Sequence, residues 1–152
     1  ARHGTKPSCV ALAWLLARQA PNGDLRRDPS RDDSQSETMF SHNIATVALC
    51  EAFAMTRDPA LTAPARKAVA FMVSIQANPD PARRSVRARA EDTSVIGWQI
   101  MAMHSARQSG FNVPQTAFDA AASWLDSVES PAAPGRYAYG RGQPPSAAMT
   151  AS

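Results

Sequence analysis

The sequence predicts an all-α protein made of repeated helical hairpins, and three observations carry that expectation. First, one pattern occurs three times: Ala11-x-x-Trp14-Leu15-x-x-x-Gln19, then Ala68-x-x-Phe71-Met72-x-x-x-Gln76, then Ala121-x-x-Trp124-Leu125-x-x-x-Glu129. The aromatic recurs at 14, 71 and 124, steps of 57 and 53 residues, and the Gln/Glu keeps the same steps. Second, an interleaved series repeats, Ala48-Leu49-x-x-Ala52 returning as Ala102-Met103-x-x-Ala106, a step of 54. Repeats of this length with two helical segments each describe hairpins that bury their faces against neighbouring copies. Third, no segment shows the period-two alternation of a half-buried strand.

The elements follow in order. A first helix runs from about 9 to 19 and stops at Gln19-Ala20-Pro21-Asn22-Gly23. Residues 20 to 38 are polar and read as a loop. A second helix covers about 41 to 55, with only Thr46 and Glu51 polar among Ile44–Met55, so it is enclosed on several sides. Asp58-Pro59 breaks the chain, and Thr62-Ala63-Pro64 opens the third helix, since Thr caps free N–H groups and Pro is tolerated in a first turn. That helix ends near Gln76, and an Arg-rich loop follows. A fourth starts at the cap residues Asp92-Thr93-Ser94 and ends at Ser109-Gly110. Asn112-Val113-Pro114 repeats the cap-x-Pro opening before a fifth, which runs to about Val128. The Pro/Gly-rich stretch 131–145 is a loop, and Ser146–Thr150 begins a sixth helix.

Length and composition set the outer limits. At 152 residues and 44% hydrophobic content the chain forms one domain, residues 1–152. It begins Ala1-Arg2-His3, without an initiator Met, and is read as a fragment or processed form of a longer protein. No stretch approaches the ~20 apolar residues of a membrane span. The net charge of +3 is scattered, and its one dense run, Arg83, Arg84, Arg87 and Arg89, has no interleaved aromatics, which argues against a nucleic-acid surface. Cys9 and Cys50 both fall in apolar helical segments, where buried free thiols are the expectation.

Residues 10–25 resemble the QW repeat of squalene and hopene cyclases: basic, Gly/Ala, x-x, aromatic, aliphatic, x-x-x, Gln, x-x-x, Gly, x, Trp. Val10 departs from the basic residue and Leu25 from the Trp. Residues 67–76 match through the Gln with Met72 for the aliphatic; in the third copy Glu129 replaces Gln, and Gly135-x-Tyr137-x-Tyr139-Gly140 resembles a Gly/aromatic tail. Ser41–Thr46 and Asp92–Gln99 also look like this superfamily. The chain resembles the bacterial prenyltransferase/squalene-oxidase-repeat proteins of the α/α-toroid (terpenoid cyclase/protein prenyltransferase) superfamily. The resemblance implies an outer ring of the first, third and fifth helices and an inner ring of the second, fourth and start of the sixth. It implies a partial α/α-toroid, about half a ring. Trp14, Gln19, Gly23, Phe71, Gln76, Trp124 and Glu129 are then the repeat-structural residues. The three aromatics are expected to be buried at equivalent places, each Gln bonding a neighbouring helix terminus. His42 and Thr93, at inner-helix starts, and Trp98, on an inner helix, are the candidate cavity-lining residues.

The chemistry of the superfamily is not legible here. Terpenoid cyclases protonate substrate with Asp-x-Asp-Asp, where crowded carboxylates keep one acid protonated; only Asp32-Asp33-Ser34 echoes it, in a polar loop. Protein prenyltransferases hold zinc with Asp, Cys and His, but His3, His42 and His104 stand far apart and no metal-ligand spacing occurs. No catalytic residue, cofactor or metal is therefore assigned. The reading is a non-catalytic helical-repeat module binding a protein partner or an apolar, isoprenoid-like ligand. The alternatives are a fragment of a terpenoid-cyclase-like enzyme whose acid lies outside this chain, and a structural spacer. The apolar flanks of the first helix and of Ala147–Ala151 lack a charged cap, so self-association as a homodimer, or terminal segments folded back over them, is expected.

Overall fold

Six helices are packed against one another in the computed structural model, which describes residues 7–26, 39–77 and 92–150: α1 (Pro7–Arg18), α2 (Met39–Thr56), α3 (Pro59–Ala77), α4 (Thr93–Gln108), α5 (Gln115–Val128) and α6 (Ala147–Thr150). No strand forms among the described residues; the stretch after α5 is held by two isolated antiparallel bridges, Glu129 with Tyr137 and Ala138 with Pro145. The protein is all-α.

Local chemistry explains the helix ends. Asp92 caps α4, its carboxylate accepting from the Val95 N–H at 2.9 Å. The third helix begins four residues earlier than a Thr62 cap suggests. Asp58 supplies the cap, its carboxylate accepting from the Ala60 N–H at 2.9 Å, and Pro59 takes the first position, where its missing N–H costs nothing. Pro64 thus lies inside α3, and Arg57, in the left-handed region at φ 55°, makes the turn from α2. At α5 no side chain caps the start, so Asn112 does not play the expected part.

The core sits mainly between α2 and α4, with α3 and α5 packed beside them. Leu49, Met72, Val95 and Met103 are almost wholly buried there. The two central helices run parallel, because polar bonds join their matching ends. Asn43 donates its amide to the Val95 carbonyl, and Ser105 donates to the Glu51 carboxylate at 2.7 Å, a pair separated by the 54-residue repeat step. Ser109 donates to the Cys50 carbonyl at the same end.

A second set of bonds links α1, α3 and α5. The Gln19 amide donates to the Pro64 carbonyl at 2.9 Å, and the Gln76 amide to the Ala117 carbonyl at 2.9 Å. Each acceptor lies seven residues before the repeated aromatic, Phe71 or Trp124. Gly23 completes the first of these junctions. Its φ of +95° is one that L side chains rarely adopt, and a Cβ there would overlap the Lys67 carbonyl. Gly23→Ala should therefore destabilise the fold by about 1–3 kcal/mol, the range for overpacking a tight contact. Urea denaturation checks this, and an unchanged midpoint would show that the junction does not hold the fold.

One aromatic departs from the expected pattern. Phe71 and Trp124 are buried, but Trp14 is 51% exposed, with the Arg18 guanidinium 4.7 Å over its ring. The face of α3 that bears Phe71 is covered by the turn after α1, whereas among the described residues no turn lies over the equivalent face of α1. Cys9 is exposed too, against expectation, because α1 packs only thinly on α2. Both cysteines are free.

Candidate functional site

Among the described residues, attention falls on the polar cluster around His42, a groove beside α3, and the outward face of α2 and α4. The first is built by the junction just described. His42 stands in the first turn of α2 with no exposed surface; its Nδ1 accepts from the Leu25 N–H at 3.1 Å and its Nε2 donates to the Ala68 carbonyl at 3.0 Å. Those bonds require the neutral ring with its proton on Nε2. Burial pushes the imidazole down to about 4, and the nearby Arg26 charge adds to this, against the Ala68 bond and the Asp24 carboxylate 3.9 Å away. Burial works to raise the Asp24 pKa, but the hydrogen bonds and charge of Arg26 outweigh it and hold that carboxyl below its usual range. The Arg26 guanidinium is locked on Asp24 at 2.6 Å and covers the Phe71 ring at 5.4 Å.

A saturated histidine of this kind has no free lone pair for a metal or a substrate proton. It clamps the turn after α1 to α2 and α3. His42 is thus a packing residue and does not line a cavity. Thr93 is likewise buried, its hydroxyl donating to the Ala138 carbonyl at 2.6 Å and its N–H to the Tyr139 carbonyl at 3.0 Å, so it anchors the loop after α5. Glu129 turns inward on that same loop, accepting from the Gly135 N–H.

The groove has a volume of about 520 Å³ and is walled by Val69, Val73 and Phe111, with Arg66 and Asn112 as polar members. None of the candidate cavity-lining or repeat-structural residues borders it, although the helix-stop Gly110 and the cap-x-Pro residues Asn112 and Pro114 do. It lies where α3 meets the α4–α5 turn, a junction that helix periodicity alone does not reveal.

Trp98 is placed differently. Its indole is partly exposed and meets Phe40 edge-on, ring centroids 5.8 Å apart. Phe40 begins a stripe along α2 that continues through the partly exposed Ile44 and Val47 to Met55, which is 83% exposed. Met101, 53% exposed, extends the stripe on α4 one turn beyond Trp98. Glu51 interrupts it with a charge that is already bonded to Ser105. Apart from Glu51, this stripe on the two central helices is apolar, while the exposed His104, Arg107 and Gln108 lie on α4 outside it.

Other reactive groups are spoken for or scattered. Burial, helped by the Glu51 charge, pushes the Cys50 thiol up to about 12, leaving it protonated and inert at neutral pH. His104 is exposed and rests edge-on against Phe118. Among the described residues no three His, Cys, Asp or Glu side chains are grouped to hold a metal, and no helix is long and apolar enough to cross a membrane. His3, Asp32, Asp33 and the run from Arg83 to Arg89 lie outside the described residues. Comparison with protein-family models, with curated proteins and with solved structures finds no match to this chain.

Proposed function

We propose that this chain is a non-catalytic helical-repeat module that binds an apolar, isoprenoid-like ligand or an apolar protein surface on the outward face of α2 and α4. The observation that carries this reading is the apolar stripe of Phe40, Ile44, Trp98, Met101 and Met55. Large apolar side chains gathered on one face mark an interaction site more often than chance exposure. The parallel, register-matched α2 and α4, and the Gln19 and Gln76 ties between successive hairpins, support an arrangement in which this face lines the inside of a partial α/α-toroid. The carboxylate on the stripe, Glu51, is bonded to Ser105, and among the described residues no three His, Cys, Asp or Glu side chains are grouped there to hold a metal.

The test uses the dye 1-anilinonaphthalene-8-sulfonate and farnesol as apolar probes. The chain should bind the dye and release it on adding farnesol. Ile44→Lys and Met101→Lys, both at partly exposed positions, should abolish dye binding while leaving helicity and melting temperature unchanged. Dye binding that survives both substitutions, in a folded protein, would remove this face as the site.

A further inference from the structure

The exposed face of α1 matches, in repeat register, a face of α3 that is covered within the molecule. Twice within the molecule one hairpin is joined to the next by the same device. A carboxamide at the end of one helix donates to the carbonyl seven residues before the next aromatic, Gln19 to Pro64 and Gln76 to Ala117. At the first junction the turn that follows also lies across α3. Gly23 abuts Lys67, four residues before Phe71, and Arg26, braced by Asp24, covers the Phe71 ring. In the repeat register Lys67 corresponds to Val10, Phe71 to Trp14 and Pro64 to Pro7. Val10 and Trp14 are 56% and 51% exposed, while Phe71, in the filled seat, is 4% exposed. The α1 face therefore continues, in register, an interface that is already occupied on α3.

We infer that the Val10–Trp14 face of α1 is the acceptor seat for a further hairpin of this same repeat type, one that ends in a Gln donor, has Gly four residues later and an Asp-x-Arg turn after it. A second copy of the chain does not supply that end. Its Gln19 turn is already seated on its own α3, and its last hairpin presents Glu129, which cannot donate to a carbonyl, and Ala133 where Gly is needed. A Cβ at that place meets the facing backbone, as at Gly23. Glu129 and Ala133 thus make the hairpin that ends at α5 non-complementary to the α1 face, which opposes head-to-tail chains of copies.

The experiment extends the full chain by one hairpin. A copy of residues 2–58, with its own Trp replaced by Phe, is placed directly before residue 2, which reproduces the 57-residue step. Tryptophan is replaced by 5-fluorotryptophan, and the native-position Trp14 is followed by its ¹⁹F solvent-isotope shift. That shift should fall by about half or more in the extended chain, as a ring moves from half exposed to buried, and cooperative unfolding should move to higher urea because one more neighbour interface forms. Gln19→Ala with Gly23→Ala in the added copy should restore the original shift. Three results would overturn the inference: an unchanged Trp14 shift in the extended chain, whether or not the added hairpin is helical; protection that persists in the double variant; or protection of Trp14 in the unextended chain as its concentration is raised, which would make a second copy the occupant.

Discussion

Phe71→Ala is expected to cost about 3–5 kcal/mol of stability, the usual loss when a buried aromatic is emptied from a core. Trp14→Ala, the same replacement at the equivalent position of the first repeat, should cost under about 1 kcal/mol, as is usual for surface positions. The difference arises from neighbours, not from the helices themselves. Phe71 is wedged between the His42 ring at 4.9 Å and the Arg26 guanidinium, and its removal leaves a void under a turn held by Gly23 and cannot be refilled by a shift of that turn alone. Trp14, 51% exposed, carries Arg18 over one face. Trp124, buried and stacked under Arg141 at 4.7 Å, should behave like Phe71. Chemical denaturation of the three alanine variants checks this ordering. Equal losses at 14 and 71 would mean that α1 is more enclosed than its exposed ring suggests.

That contrast also marks where sequence reasoning works and where it stops. Helical periodicity and the recurring Gln placed the helices to within a few residues, because those signals are local: an apolar stripe, a Pro–Asn–Gly stop, an Asp cap. The start of α3 was misjudged because Thr62 and Asp58 are both good caps four residues apart, and only the fold shows that Asp58 receives the Ala60 N–H. The exposure of Trp14 and Cys9 was not legible at all. A repeat pattern says that three aromatics occupy equivalent places on their helices; it does not say what covers each, which is the turn after α1 for Phe71 and Arg141 for Trp124, while Trp14 is half exposed. The same holds for His42. A histidine in a helical first turn is compatible with capping, a ligand role or a cavity wall. The outcome depends on two backbone groups, of Leu25 and Ala68, that are 17 and 26 residues away in sequence. The α2–α4 face was half legible: Trp98 stood out as a large aromatic on a central helix, but its neighbour Phe40 came from a helix start that the apolar pattern left outside.

The buried histidine makes acid the condition to which this fold should be most sensitive. An exposed imidazole titrates near 6.5, and in the folded chain burial pushes His42 down to about 4. Below pH 6.5 the unfolded chain therefore takes up a proton that the folded chain refuses. The stability linked to His42 is complete above about pH 6.5, falls as the pH drops through the interval from 6.5 to about 4, and levels off once the folded state also protonates. At about 1.4 kcal/mol per unit the loss across that interval is roughly 3 kcal/mol. Protonation would convert Nδ1 from an acceptor to a donor facing the Leu25 N–H, so the clamp between the turn, α2 and α3 would open at its centre. Asp24 does not mask the effect, because its pKa is held below the usual carboxylate value and its own contribution is lost only at still lower pH. Urea denaturation at pH 7.5, 5.5 and 4.5 should show midpoints falling steadily. A His42→Asn variant, less stable at neutral pH, should lose most of that slope. Stability that stays flat from pH 7 to 4.5, or a slope unchanged in the variant, would show that the imidazole is not confined as the geometry requires.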